Sequence, residues 1–171
     1  MRLLKHFTAN EEQLESFPFK RELSMESYLV ENEGVLALDH ENYLDVTIVQ
    51  EELTLKQGRP SKDTDGRIDI LATYSNEYIG VVEIKLGELN EIHLTQLEDY
   101  LIEKHQILEQ FPDILDKSIS PEPRWVGVLV GSSIHPDLAH KINNGYSTNC
   151  GVPIAALSIQ RFKGANGGVY V

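Results

Sequence analysis

The sequence predicts a mixed α/β (α+β) fold in which a β-sheet is flanked by helices. Short apolar runs of strand length, rich in β-branched and aliphatic residues, recur along most of the chain. Amphipathic stretches with helical spacing lie before, between and after these runs. We interpret residues 1–171 as one domain, with its core at about 20–160.

The elements follow from local signals. The first helix is predicted over residues 19–34, where Gly34 provides a stop, and residues 58–66 are predicted to be a loop because they are rich in Gly, Pro and Asp. A tight turn at 75–77 joins two strands. The full set of predicted strands is 35–38, 44–55, 67–74, 78–86, 124–131, 152–162 and 167–171, and the later helices are 90–110, before Pro112, and 135–145.

Composition excludes several classes of protein. No apolar run approaches the ~20 residues that a membrane span needs, and the N-terminus has no apolar signal segment. The single cysteine, Cys150, excludes an internal disulfide and a multi-cysteine zinc site. We therefore expect a cytoplasmic protein. The net charge of −12 argues against a protein that coats nucleic acid non-specifically, although a local patch can differ in sign from the whole.

One local excess of positive charge lies in residues 55–67. Four basic residues stand there against two aspartates: Lys56, Arg59, Lys62 and Arg67. This stretch leads directly into a predicted strand, and its side chains could contact backbone phosphates. The alternative is that this stretch is a solvated loop that binds no ligand.

The stretch GVVEIKLG, residues 80–87, carries a carboxylate and an ammonium inside a buried strand. Strand alternation puts Val81, Glu83 and Lys85 on one face. If the hairpin is centred on Asn76, Asp69 faces Glu83, with Cβ atoms about 5 Å apart. Like charges so placed repel each other, and a cationic group must compensate them.

Two arrangements could supply that compensation. In the first, Arg67, Asp69, Glu83 and Lys85 neutralise one another as an ion-pair patch. In the second, the carboxylates hold Mg²⁺, which prefers oxygen ligands, and Lys85 assists chemistry on a phosphoryl group. The spacing alone leaves both arrangements open.

The predicted helices add polar residues on their apolar faces. On a helical wheel that starts at Leu23, both Glu22 and Glu26 fall within the apolar arc, and the wheel does not choose between them. In the long helix, Gln96 and Tyr100 are four residues apart and share a face. The histidines show no metal-ligand spacing, and we interpret them as surface or packing residues.

These residues together resemble the PD-(D/E)xK nuclease superfamily. Asp69 precedes Glu83-Ile84-Lys85 on the next strand, and Gln96-xxx-Tyr100 resembles a QxxxY element that follows this core. Over roughly residues 20–160, the order ELSMESYLVEN, DGRIDILATY, GVVEIKLGELNEIHLTQLEDYL is similar to the nuclease domain of NucS-type DNA endonucleases. The residue before Asp69 is Ile68 rather than proline. We expect the 171 residues to hold the nuclease domain without the additional N-terminal DNA-binding and dimerisation domain of that group.

The resemblance implies a restriction-endonuclease-like core, a mixed four-stranded sheet flanked by helices. It implies that Asp69, Glu83 and the Ile84 carbonyl bind Mg²⁺ or Mn²⁺ and that Lys85 is the catalytic lysine. Glu26 would be the helix carboxylate that supports the metal site, Gln96 would steady the lysine or the water, and Tyr100 would have a supporting role.

The resulting hypothesis is a metal-dependent endonuclease that acts on DNA, with RNA as the alternative substrate. Because the chain is acidic, its DNA affinity would come from a partner protein or from a homodimer that pools basic patches. The alternative function is a non-catalytic interaction or regulatory module of the same fold, because a fold alone does not establish an activity.

Overall fold

The computed structural model describes residues 8–9, 12–59, 64–110, 112 and 122–171, and the side chains of 56–59 and 64–65 are outside this description. The strands in this part of the chain are β1 Thr8–Ala9, β2 Glu12–Ser16, β3 Val46–Arg59, β4 Thr64–Tyr74, β5 Tyr78–Ile84, β6 Glu88–Leu89, β7 Arg124–Gly131, β8 Ser133–Ile134, β9 Ile154–Ser158, β10 Phe162–Gly164 and β11 Val169–Tyr170. The α-helices there are α1 Glu22–Glu31, α2 Glu91–Ile102, α3 Lys104–Gln110 and α4 Pro136–Asn143.

A five-stranded mixed sheet in the order β3-β4-β5-β7-β9 forms the centre of the fold. The strands β3, β4 and β5 pair antiparallel, whereas β5, β7 and β9 pair parallel. The predicted fold class, a mixed sheet flanked by helices, is confirmed. The sheet has five strands rather than the four that the resemblance implies, because β9 adds to the edge of β7.

The β4–β5 hairpin has the predicted register. Ile70 pairs with Val82 and Tyr74 with Tyr78, which centres the turn on Asn76. Ser75 and Asn76 both take positive φ angles, 50° and 57°, in a reversal closed by a hydrogen bond from Glu77 N to Tyr74 O of 3.0 Å. The turn therefore fixes which residues of the two strands meet.

Apolar side chains fill both faces of the sheet. One cluster includes Val81, Leu97 and Leu101 and lies on the side of α2, and the other includes Met25, Leu29 and Val82 and lies on the side of α1. Neighbouring residues of β5 thus point to opposite faces, as strand alternation requires.

Gly127 allows α2 to pack directly on β7. A Cβ atom at Gly127 would lie 2.9 Å from Leu101 Cδ1 and 3.0 Å from Leu97 Cδ2, closer than side-chain carbons approach each other. The helix is therefore held close to the sheet at Leu97, and the preceding residue, Gln96, is placed over the end of β5.

Several predicted elements differ from the structure. Residues 35–38 are not a strand, since a 3₁₀ helix at Glu33–Leu36 continues from α1 and buries Leu36, whose carbonyl accepts a 3.1 Å hydrogen bond from the Tyr74 hydroxyl. The predicted helix at 90–110 is two helices separated at Glu103. Leu23 is 60% exposed, so the buried face of α1 is centred on Leu29 instead.

The predicted loop at 58–66 is shorter than expected. The strand β3 continues to Arg59 and β4 begins at Thr64, and the two residues are paired. The strands β1 and β2, which the sequence did not predict, join β10 and β11 in a four-stranded sheet. Among the described helices, none is long and apolar enough to cross a membrane.

Candidate active site

Glu83 and Lys85 form an ion pair at the end of β5. The distance from Lys85 Nζ to Glu83 Oε1 is 2.5 Å, and the carboxylate is completely buried. Gln96 Nε2 donates a hydrogen bond to the same oxygen and a second one, of 3.1 Å, to the Tyr100 hydroxyl. The strand face of Glu83 and Lys85 and the helix face of Gln96 and Tyr100, which the sequence predicts separately, therefore meet here.

Asp69 lies where the β4–β5 ladder ends. It directly precedes Ile70, whose pairing with Val82 is the last of the ladder, and its Oδ2 accepts a 2.7 Å hydrogen bond from Ile84 N. The side chain thus replaces the next backbone hydrogen bond of the ladder. Strict alternation is interrupted here, because Ile68 packs in the same cluster as Leu71 although the sequence placed them on opposite faces.

The Ile84 carbonyl is oriented towards the same place. In a strand, the N–H and C=O groups of one residue point to the same neighbouring strand. Since the Ile84 N–H points to Asp69, we infer that its carbonyl also faces the gap between β4 and β5. This is the position expected for a backbone ligand beside Asp69.

Helix α1 brings both of its candidate glutamates to this region. Glu26 is buried, and its burial together with the nearby charge of Asp69 raises the pKa of its carboxyl. Glu22 is exposed, and its Oε1 accepts a 3.3 Å hydrogen bond from Leu86 N. Both glutamates of the wheel therefore lie in this region, with Glu26 buried and Glu22 exposed.

Strand β3 contributes a carboxylate that sequence reasoning missed. Glu52 forms a 3.2 Å ion pair with Arg67, and Arg67 in turn lies 3.6 Å from Asp69. The negative charge of Glu52 contributes to raising the pKa of Glu26. Its φ angle is 49°, in the left-handed region that non-glycine residues seldom adopt. No local sequence signal predicts this conformation within a strand.

His93 also lies near the candidate site, where the charges of Lys85 and Glu22 act on it. The sequence alone leads us to interpret it as a surface or packing residue. Its Nδ1 accepts a 3.2 Å hydrogen bond from Asn90 N in the N-terminal cap of α2. Partial burial and the positive charge of Lys85 lower the pKa of His93. The signal available in the sequence was its spacing, three residues before Gln96 on the same helix face.

Negative charge exceeds positive charge around the site. Burial raises the pKa of Asp69, and the positive charges of Lys85 and Arg67 offset this only in part. Burial acts to lower the pKa of Lys85, but Glu83, Asp69 and Glu22 outweigh it, and the pKa is raised. Among the described side chains, six carboxylates interact here with two cations: Glu22, Glu26, Glu51, Glu52, Asp69 and Glu83 with Arg67 and Lys85.

This donor set fits a hard divalent cation. The described residues contain no group of three or more His, Cys, Asp or Glu side chains placed to hold a metal ion. Magnesium, however, is commonly held by one or two carboxylates and completes its shell with water and substrate. Two buried carboxylates, a backbone carbonyl and a local excess of negative charge meet that requirement.

The basic residues predicted to bind nucleic acid have different outcomes. Arg67 is half exposed and pairs with Glu52 and Asp69, so it belongs to the carboxylate site. The side chains of Lys56 and Arg59 and the whole of Lys62 lie outside the described residues.

Comparisons with known proteins yield a likeness in fold. No protein-family model and no curated protein matches the chain. Among solved structures, the chain is similar to one described as "Structure of EndoMS-dsDNA2 complex", with a TM-score of 0.49 and 18% sequence identity. The similarity covers 80% of this chain and 44% of that one, so the chain spans less than half the length of its structural relative.

Proposed function

We propose that this protein is a metal-dependent nuclease that hydrolyses phosphodiester bonds in DNA. The observation that supports this proposal is the meeting of Asp69, Glu83 and Lys85 at one end of the β4–β5 hairpin. Both carboxylates are buried, and the charge of Lys85 interacts with both. Buried charges cost free energy, and such a cluster is more typical of a functional site than of a core.

Asp69, Glu83 and the Ile84 carbonyl would hold Mg²⁺ or Mn²⁺, which when bound supplies charge at a phosphoryl oxygen and lowers the pKa of water. The ammonium group of Lys85 neutralises charge that develops on the phosphate. Gln96 fixes the Glu83 carboxylate, and Tyr100 fixes Gln96 in turn. Glu26 lies beside Asp69 and keeps the local potential negative.

A cleavage assay tests the proposal. Purified protein is incubated with single-stranded, duplex, mismatched and branched DNA and with RNA, in Mg²⁺, Mn²⁺ or EDTA. We expect cutting that requires the metal and that falls by about 10²-fold or more in Lys85→Ala, since a preorganised charged group contributes on that order. Lys104→Ala, on α3, is the matched control and is expected to cut like the wild type. Cutting that persists in EDTA or in Lys85→Ala would contradict the proposal.

One observation favours a second function, a non-catalytic interaction module. Glu83 pairs with Lys85 and Asp69 lies near Arg67, so much of the charge is already compensated within the protein. If this pairing is structural, Glu83→Gln should strongly lower the free energy of unfolding while Mn²⁺ titration shows no binding to the wild type. Binding of Mn²⁺ that Glu83→Gln abolishes, in a variant that still folds, supports the nuclease.

A further inference from the structure

Basic side chains in this acidic protein divide into paired and unpaired groups. Of the nine whose side chains the structure describes, four form ion pairs with carboxylates: Arg67, Lys85, Arg124 and Lys141. Within the same described residues, the other five form no ion pair: Lys20, Arg21, Lys104, Arg161 and Lys163. Four of these five fall in just two short segments, residues 20–21 and 161–163.

The fold brings these two segments together although 144 residues separate Phe17 from Arg161. Phe17 N donates to Arg161 O and Arg161 Nε donates to Phe17 O, both at 2.9 Å. Lys163 Nζ lies 5.8 Å from the Phe17 ring centre. We call this surface the 17–21/161–163 patch; residues 16–22 and 159–164 carry four cations and one carboxylate, against a net charge of −12 for the whole chain.

Within the patch, the Arg161 side chain is held in place by two aromatic rings and by backbone carbonyls. The Arg161 guanidinium lies 4.5 Å from the Phe17 ring centre and 4.4 Å from that of Phe19, and it donates a 3.2 Å hydrogen bond to Pro18 O. Lys163 stands opposite Glu15 in the β2–β10 ladder without coming within ion-pair distance of it. Its charge is therefore directed to solvent.

The patch adjoins the candidate active site. A groove of about 280 Å³ lined by Phe19, Arg161 and Phe162 also reaches Ser132, whose N–H donates a 2.7 Å hydrogen bond to Gly87 O, two residues after Lys85. On the other side, Arg21 is followed directly by Glu22, whose carboxylate accepts from Leu86 N. Both ends of the patch are therefore linked by hydrogen bonds to the residues that directly follow Lys85.

We propose that the 17–21/161–163 patch binds the backbone phosphates of the nucleic-acid strand that enters the Asp69–Glu83–Lys85 site. This inference rests on the proposed nuclease function and names the surface that supplies its substrate affinity. Four cations that form no ion pair in the described structure, two of them near aromatic rings, match the requirements of a polyanion whose charge and bases are both exposed. The net charge of −12 opposes non-specific binding over the whole surface, so affinity for such a ligand depends on local groups of cations such as this patch.

Equilibrium binding tests the patch separately from cleavage. Fluorescently labelled single-stranded and duplex DNA are titrated in EDTA with the wild type, Lys20→Glu, Lys163→Glu and Lys104→Glu, over a range of salt concentrations. The three variants change the net charge equally, and none of the three lysines forms an ion pair in the described structure. Thermal melts confirm that each variant folds.

We expect Lys20→Glu and Lys163→Glu to bind several-fold more weakly than the wild type. The slope of log affinity against log salt should become shallower by about one for each phosphate contact that is lost. Lys104→Glu should bind like the wild type, and Lys163→Arg should restore the affinity that Lys163→Glu loses.

Equal weakening in all three variants, or in none, would overturn the proposal, as would a wild type that binds neither form of DNA; an acidic protein would then be the candidate partner of the patch. The cleavage assay with the wild type and Lys85→Ala tests the nuclease function independently of these binding measurements. If the protein cuts DNA but the patch substitutions do not change its binding, the proposed nuclease function stands and the proposed role of the patch is wrong. If the patch substitutions weaken binding but the wild type cuts no substrate, the proposed role of the patch stands and the proposed nuclease function is wrong.

Discussion

Glu83 is the residue for which a structural role and a catalytic role can be compared most directly. Its carboxylate is completely removed from solvent, which is costly unless partners compensate it, and both Lys85 and Gln96 contact its Oε1. Replacing Glu83 and Lys85 together by apolar residues would cost the fold little, whereas replacing Glu83 alone would leave the partly buried Lys85 charge uncompensated. In the proposed function, a bound divalent cation would be the ligand that needs the Glu83 charge.

Gln96 allows the strength of this local network to be measured. Replacing Gln96 by Ala removes the hydrogen bond to the Glu83 carboxylate, and hydrogen bonds to charged groups contribute about 1.5–3 kcal/mol. We expect the free energy of unfolding to fall by that amount in urea denaturation. Gln110→Ala, at the exposed end of α3, should change it by less than about 0.5 kcal/mol. Equal effects of the two substitutions would show that Gln96 does not support the site.

Glu26 should make stability depend on pH in a defined direction. Burial and the charge of Asp69 raise the pKa of Glu26 above that of the unfolded chain. Its stabilising contribution is therefore complete below its ordinary pKa and is lost as the pH rises through the raised value. Glu26→Gln stays neutral, so we expect it to be more stable than the wild type at about pH 8.

Urea denaturation at about pH 8 and at about pH 4 measures this difference. At the lower pH the wild-type carboxyl is largely protonated, and the two proteins should converge in stability. Glu31→Gln, at the exposed end of the same helix, should show no such convergence. A gain in stability that is the same at both pH values would refute this explanation.

At the scale of elements, the site is formed where regular pairing stops. The β4–β5 ladder ends at Ile70–Val82, the Asp69 side chain takes the next hydrogen bond, and Glu52 on β3 adopts a left-handed conformation opposite this region. Non-glycine residues in such conformations cost about 1–3 kcal/mol, and they are found preferentially at functional sites. The irregularity of β3 thus places a carboxylate beside Asp69 at the expense of stability.

Two substitutions of Glu52 isolate this backbone cost. Both Glu52→Ala and Glu52→Gly remove the ion pair with Arg67, but only glycine adopts a positive φ angle without strain. We expect the glycine variant to be more stable than the alanine variant by about 1 kcal/mol. The usual order in strands is the reverse, and observing that order in chemical denaturation would show that Glu52 is not strained.

The elements also show how much of the molecule could be predicted. The turn around Asn76 and the alternation in β5 gave the correct register, because both depend on residues close in sequence. The conformation of Glu52 and the exposure of Leu23 could not be predicted, since neighbouring elements determine them. The contact of Phe17 with Arg161 depends on pairing between the two ends of the described chain, which no local pattern encodes.

Across the whole molecule, the net charge of −12 opposes folding through self-repulsion. Added salt should relieve this by screening, in every variant alike. Mn²⁺ should do more than screen, because a ligand that binds only the folded protein stabilises it, by about 2.7 kcal/mol at a concentration one hundred times its Kd.

Thermal melts at constant ionic strength, with and without Mn²⁺, measure this additional stabilisation. We expect the wild type and Glu109→Gln, a neutralised carboxylate on α3, to show it, and Glu83→Gln to lose it. Equal stabilisation of the two variants by Mn²⁺ would mean that the ion acts on the general surface charge rather than at Glu83.

The hydrogen bond from Ile84 N to Asp69 Oδ2 makes the Ile84 amide proton a sensitive NMR probe of the candidate site. Most strand amides exchange with solvent only when the sheet opens, but this one is protected by a single side chain. Any event that draws the Asp69 carboxylate elsewhere changes the exchange rate and the chemical shift of that one proton. Occupancy of the site can thus be followed by NMR at Ile84 before any substrate is known.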